Sequence, residues 1–154
     1  MTKVFDEAAC VAVIARHEGR PGPMLPILHD IQAEFGFISE AAMRLVATRL
    51  NVTRAEVYGV VSFYHDYRTE PAGRRHLKIC RAEACQAMGG AAMADAVLER
   101  LGLDWGGTTA DGRLTIEPIY CLGLCACAPS AMLDDEPHAR LTAESLTALA
   151  LEAV

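Results

Sequence analysis

The sequence predicts an α/β chain in which a bundle of short helices precedes a sheet with helices packed on it. Three observations carry that reading. Apolar residues recur at helical spacing through the first seventy positions. The pattern breaks at Arg68-Thr69-Glu70-Pro71-Ala72-Gly73, and beyond it short alternating runs end in pairs of cysteines. The boundaries that follow are 1–67 for the helical part and 74–154 for the part built on the sheet.

Val11, Ile14 and Ala15 lie at helical spacing before the breaker Gly19-Arg20-Pro21-Gly22-Pro23, and Ile27, Leu28, Ile31 and Phe35 repeat the pattern up to Gly36. Ser39 is placed to cap a third helix, because its hydroxyl can meet an N–H that the first turn leaves unpaired. That helix turns Met43, Val46, Ala47 and Leu50 inward. Thr53 and Glu56 form a capping box, opening a fourth helix with Val57, Val60, Val61 and Tyr64 on one side. Past the linker, His76–Ile79 alternates as a strand ending at Cys80, and residues 86–101 read as one helix closed by Gly102. After a glycine-rich loop over 104–112, Leu114–Ile116 reads as a second strand. Ala131–Leu133 and His138–Leu141 read as a hairpin across Asp134-Asp135-Glu136, and Thr142 caps a last helix. This order resembles the thioredoxin-like arrangement.

With 154 residues and 52% hydrophobic side chains, the chain can bury a core without cross-links. A formal charge of −6 argues against nucleic acid as a partner, since binding to phosphates needs clustered Lys and Arg. Arg74-Arg75 with Lys78 reads as a solvated face. The chain opens without a basic segment leading into an apolar run, and no stretch approaches a membrane span. A cytoplasmic location is the resulting expectation. In a reducing compartment the six cysteines point to metal ligands or buried apolar groups rather than bridges. Neither a dinucleotide fingerprint, a P-loop nor a nucleophile with a base partner stands out. His17, His29, His65, His76 and His138 show no pairing at ligand spacing and read as solvated or internally satisfied. The chain is not expected to turn over a substrate alone.

Spacing decides what the cysteines do. Cys80 and Cys85 are separated by four residues and Cys121 and Cys125 by three, each pair just after a strand. If the two strands are neighbours, the four sulfurs converge at one end of the sheet, as a four-thiolate centre requires. Two sulfide-bridged irons need two thiolates apiece, so these four residues are the candidate ligands of one 2Fe-2S cluster. A structural zinc site on the same thiolates is the rival, although its usual C-x2-C knuckles are absent. Cys10 reads as a buried hydrophobe, and Cys127 as a free thiol beside the site.

Three stretches carry a resemblance: Ala55-Glu56-Val57-Tyr58-Gly59-Val60-Val61-Ser62-Phe63-Tyr64, the first cysteine pair, and Cys121-Leu122-Gly123-Leu124-Cys125-Ala126-Cys127-Ala128-Pro129. Together they resemble the thioredoxin-like 2Fe-2S ferredoxins, over residues 24–150. That family includes the small 2Fe-2S subunit of respiratory complex I, the matching part of NAD-reducing hydrogenases, and the gamma subunit of NAD-dependent, molybdenum-containing formate dehydrogenases. The wording of Cys80–Gly89 and of Ala128–Met132 looks most like the formate dehydrogenase gamma subunits. The resemblance implies that Cys80, Cys85, Cys121 and Cys125 hold the cluster, which exchanges electrons with FMN on a flavin- and NAD-binding partner subunit. It further implies a larger partner with molybdenum cofactor and iron-sulfur centres. Four short helices are more than the cluster fold needs and offer an extra apolar face, so the N-terminal bundle is the expected docking element. FMN, NAD and molybdenum cofactor would then lie on partners alone. The alternative setting is NADH:quinone oxidoreductase (complex I) or an NAD-reducing hydrogenase; a zinc-stabilised interaction module is the reading from another class.

Overall fold

In the computed structural model, which describes residues 5–154, side-chain caps fix where most of the N-terminal helices begin. Asp6 accepts a hydrogen bond from the Ala8 N–H to start α1 (Glu7–Ala15), and Ser39 accepts from Ala42 to start α3 (Glu40–Leu50). Thr53 and Glu56 close the expected capping box at the head of α4 (Arg54–Phe63). Thr53→Ala deletes the acceptor for the Glu56 N–H and is expected to cost about 1 kcal/mol. Urea unfolding reads this directly, and an unchanged midpoint would remove the cap from the account of α4. α2 (Met24–Phe35) begins after Pro23 without a side-chain cap and ends at Gly36, whose φ of +85° lets its N–H turn back to Gln32.

The chain divides into two units, Met1–Pro71 and Ala72–Val154. In the first, Ile27, Leu28, Ile31 and Phe35 of α2 are buried together with Met43, Val46 and Ala47 of α3, as their spacing predicts. The inward face of α1 differs from expectation. Cys10 and Val13 are buried beside Ile14, while Val11 is half-buried and Ala15 exposed. Apolar side chains surround this helix, so periodicity gives its face no direction. α4 also ends one residue before Tyr64, which is left exposed. Tyr67 is buried instead, its hydroxyl donating to the Leu25 carbonyl.

The second unit is a four-stranded sheet in the order β2-β1-β3-β4. The strands are β1 (Arg75–Cys80), β2 (Leu114–Ile119), β3 (Ser130–Leu133) and β4 (Glu136–Ala139). β1 pairs parallel with β2 and antiparallel with β3, which pairs antiparallel with β4. Leu77 sits across from Ile116 on one side and Leu133 on the other, and with Ile79, Leu114 and Ala131 forms the buried face. Val97 and Leu98 of α6 (Gly90–Leu101) and Leu146 and Ala150 of α7 (Ala143–Glu152) join the same core. Thr142 caps α7, as predicted.

Two further expectations are corrected. Residues 86–101 are not one helix. Gly89 takes φ +84°, which breaks the run and separates a short helix α5 (Glu83–Ala87) from α6. The hairpin turn is also tighter, since Leu133 pairs with Glu136 and only Asp134-Asp135 lies between. Asp134, at φ +55°, accepts hydrogen bonds on its carboxylate from the His76 N–H and from Arg75 Nε. Among the described residues no helix is long and apolar enough to cross a membrane.

Candidate metal centre

β1 and β2 run parallel and in register from Arg75–Leu114 to Cys80–Ile119, so both carboxyl ends fall at one edge of the sheet. The thiols follow from that edge: Cys80 is the last residue of β1, Cys85 lies in α5, and Cys121 and Cys125 lie on the loop that leaves β2. The Arg81 N–H donates to the Ile119 carbonyl at 2.7 Å and ties the first loop to the end of β2. The condition set by the spacing, that the two strands be neighbours, is met.

Backbone conformation wraps the second loop around its own sulfurs. Cys121 adopts φ +94° and Gly123 φ +77°; for the cysteine this is a region that L side chains rarely occupy. The wrap aims the Gly123 N–H at Cys121 Sγ, 3.3 Å away, and brings Cys125 Sγ within 3.6 Å of Cys121 Sγ. Two thiolates on one tetrahedral metal, with bonds near 2.3 Å, stand about 3.8 Å apart. The second pair therefore has the spacing of two ligands on one ion.

The inner pair is set differently. Cys80 and Cys85 are buried, whereas Cys121 and Cys125 are exposed. Burial pushes the Cys80 thiol up, but the N–H groups of Ala82, Cys121 and Leu122 and the Cys85 thiol hydrogen-bond to its sulfur and bring it below the ordinary thiol range. Donors from both loops thus meet on one sulfur and favour its thiolate. The Cys125 thiol is pushed up by its hydrogen bond with Cys121, and by the charge of Cys121, Cys85 and Cys80. The charges of three thiols thus bear on the Cys125 sulfur, and a set of thiolates held this close is one that soft cations stabilise. Among the described residues no three His, Cys, Asp or Glu side chains are grouped to hold a single ion, so the thiols stand as two pairs.

Cys10 and Cys127 belong to neither pair. All six are free of bridges. Cys10 is buried in the helical unit, and burial, with the Glu7 charge, pushes its thiol up to about 11. Cys127 is half-buried at the end of a single 3-10 turn, Cys125–Cys127. His17, expected to be satisfied within the fold, is buried with its Nε2 2.8 Å from Asp30 Oδ2. Two features near the thiols escape sequence reasoning. Ser130 is buried with its hydroxyl 3.5 Å from Cys85 Sγ, and the Arg81 guanidinium lies over the Trp105 ring, 5.1 Å from its centre. Both contacts span long stretches of chain and leave no local pattern.

Residues 10–153 match the family of thioredoxin-like 2Fe-2S ferredoxins. The chain belongs to this family. As a thioredoxin-like 2Fe-2S ferredoxin it has one 2Fe-2S cluster as its cofactor, and its two thiol pairs fit that group. It is 38% identical over 133 residues to a subunit of the NADH-quinone oxidoreductase of Mycobacterium tuberculosis, covering 86% of this chain and 53% of the relative. It is 34% identical over 123 residues to the NADP-reducing hydrogenase subunit HndA of Solidesulfovibrio fructosivorans, covering 80% of this chain and 72% of the relative. Among solved structures, an NAD+-reducing nickel-iron hydrogenase in the air-oxidised state superposes with a TM-score of 0.71 at 26% identity, over 85% of this ferredoxin and 22% of the hydrogenase chain. The ferredoxin spans about half the length of its mycobacterial relatives.

Proposed function

We propose that this chain is the electron-carrying subunit of an NAD(P)-linked oxidoreductase complex and that Cys80, Cys85, Cys121 and Cys125 are its cluster ligands. The observation that carries the ligand assignment is the register of β1 and β2, which delivers both thiol pairs to one sheet edge where N–H groups from both loops meet on Cys80. Relatives named as subunits of NADH-quinone oxidoreductase and of NADP- and NAD+-reducing hydrogenases support a complex of that type. They favour it over formate dehydrogenase, a reading that rests only on the wording of Cys80–Gly89 and Ala128–Met132. The larger molybdenum-containing partner belongs to the formate dehydrogenase reading alone.

A bound 2Fe-2S cluster supplies one electron at a time, whereas hydride exchange with a nicotinamide moves two, so a flavin partner has to change the count. This chain's own residues bury one thiol pair, hold amide donors on the sulfurs and leave the other pair open to a partner. FMN and NAD sites are assigned to that partner, and the complex to the cytoplasm.

Purification of the complex from its host tests the reading. About two irons and two acid-labile sulfides per chain are expected, with a paramagnetic signal appearing on reduction. One zinc per chain without sulfide would overturn the cluster ligands. Quinone-reductase or hydrogenase subunits should accompany the chain; a molybdenum subunit in their place would restore formate dehydrogenase. The isolated chain should oxidise no NADH.

A further inference from the structure

Arg81 lies between two of the four thiols, yet neither the fold nor the ligand set explains its side chain. Its backbone is fixed at both ends: the N–H donates to Ile119, and the carbonyl accepts from Gln86 Nε2, each at 2.7 Å. The side chain packs its guanidinium over Trp105, 5.1 Å from the ring centre, and its Nε is buried without a hydrogen-bond partner. Trp105 itself is half-buried against the core of the sheet, in the loop that follows α6. A guanidinium is a permanent cation, and an aromatic face is one of the few apolar surfaces that attracts it.

We infer that the Arg81 guanidinium, with Trp105 as its positioning residue, raises the reduction potential of the cluster carried by this chain. The inference rests on the proposed ligand set, with Arg81 directly following Cys80. Adjacency along the chain keeps the guanidinium on the order of 10 Å from the Cys80 sulfur. Thiolates and sulfides outweigh the ferric charge, so the centre is an anion whose negative charge grows by one unit when one electron is added. A nearby fixed cation therefore stabilises the reduced form more than the oxidised one. At that separation and an effective dielectric of about 20, a unit charge changes the reduced-to-oxidised ratio by roughly tenfold. Trp105 supplies a rigid seat: without it the long side chain would swing into solvent, where its charge is screened.

The test is a redox titration of the full-length, cluster-loaded chain after its iron content is measured. Arg81→Gln should move the midpoint to more negative potential by roughly tenfold in the equilibrium ratio, which is 59 mV for a one-electron couple. Arg81→Lys should retain much of the wild-type value. Trp105→Leu should shift the midpoint in the same direction as Arg81→Gln, Trp105→Phe should shift it little, and the Arg81→Gln/Trp105→Leu double variant should match Arg81→Gln alone. The difference between wild type and Arg81→Gln should narrow as salt is raised. Trp105 is the single tryptophan, so its emission reports the stack even without a cluster and should change in Arg81→Gln. Equal shifts in Arg81→Gln and Arg81→Lys, or an unchanged midpoint in Arg81→Gln, would overturn the inference. If Arg81→Gln takes up no iron, Trp105→Leu is decisive, and an unchanged midpoint there overturns it. A wild-type chain without iron and sulfide would instead mean that the ligand assignment has failed.

Discussion

Serine in place of Cys80, Cys85, Cys121 or Cys125 should remove the cluster, whereas serine at Cys10 or Cys127 should leave it in place. The hydroxyl of serine is a hard, weakly acidic donor, and iron in a sulfide-bridged centre needs soft thiolates. The exposed positions give the cleanest result. Cys121 and Cys125 lie on a surface loop, so their replacement deletes a donor without opening a cavity in the core. Cys80→Ser and Cys85→Ser change buried side chains as well, and should lower thermal stability along with iron content. Iron, acid-labile sulfide and visible absorbance measured on all six variants decide the matter. Loss of iron in Cys127→Ser together with retention in Cys125→Ser would transfer the ligand role from one to the other.

Gly90→Ala should damage the site without touching any ligand. A Cβ at this position would lie 2.6 Å from the Cys85 carbonyl oxygen and 3.1 Å from its carbonyl carbon. Both are backbone atoms of α5, so the contact cannot be relieved by rotating a side chain. α5 has to move, and Cys85 moves with it. Overpacking of this kind costs roughly 1–3 kcal/mol, and the expected readout is a lower unfolding midpoint with reduced iron occupancy. Gly89→Ala is the control. Its Cβ would meet nothing within 4 Å, although φ +84° makes alanine unfavourable there, at a cost of about 1–2 kcal/mol. It should lose stability and keep its iron. Full occupancy in Gly90→Ala would show that α5 tolerates the shift.

The contrast between these two glycines also explains what was legible in the sequence. Signals written in a few adjacent residues came through: the caps at Ser39, Thr53 and Thr142, the stops at Gly36 and Gly102, and the strand that ends in Cys80. Each depends on local hydrogen bonding that a residue type favours by itself. The two thiol pairs were visible for the same reason. A glycine within a helical pattern does not announce a positive φ, so the break at Gly89 was not legible. The face of α1 was hidden by apolar residues all round the helix. The seating of Arg81 on Trp105, and of Ser130 beside Cys85, arises only when distant segments fold together. Short sequence patterns thus located the donors of the site, while the surroundings that set its properties came from tertiary structure.

The unequal burial of the thiol pairs gives the site a wet side and a dry side. On the proposed ligand set, oxygen and chelators approaching from solvent meet Cys121 and Cys125 long before Cys80 and Cys85, so decay should run from the outside inward. On that same ligand set, the exposed sulfurs are also where an electron from outside would enter. A partner that seats over them therefore completes the conducting path and acts as a shield at the same time. The cofactor's lifetime in air should lengthen on assembly by as much as that pair is covered, making durability in oxygen a measure of how completely the partner has docked.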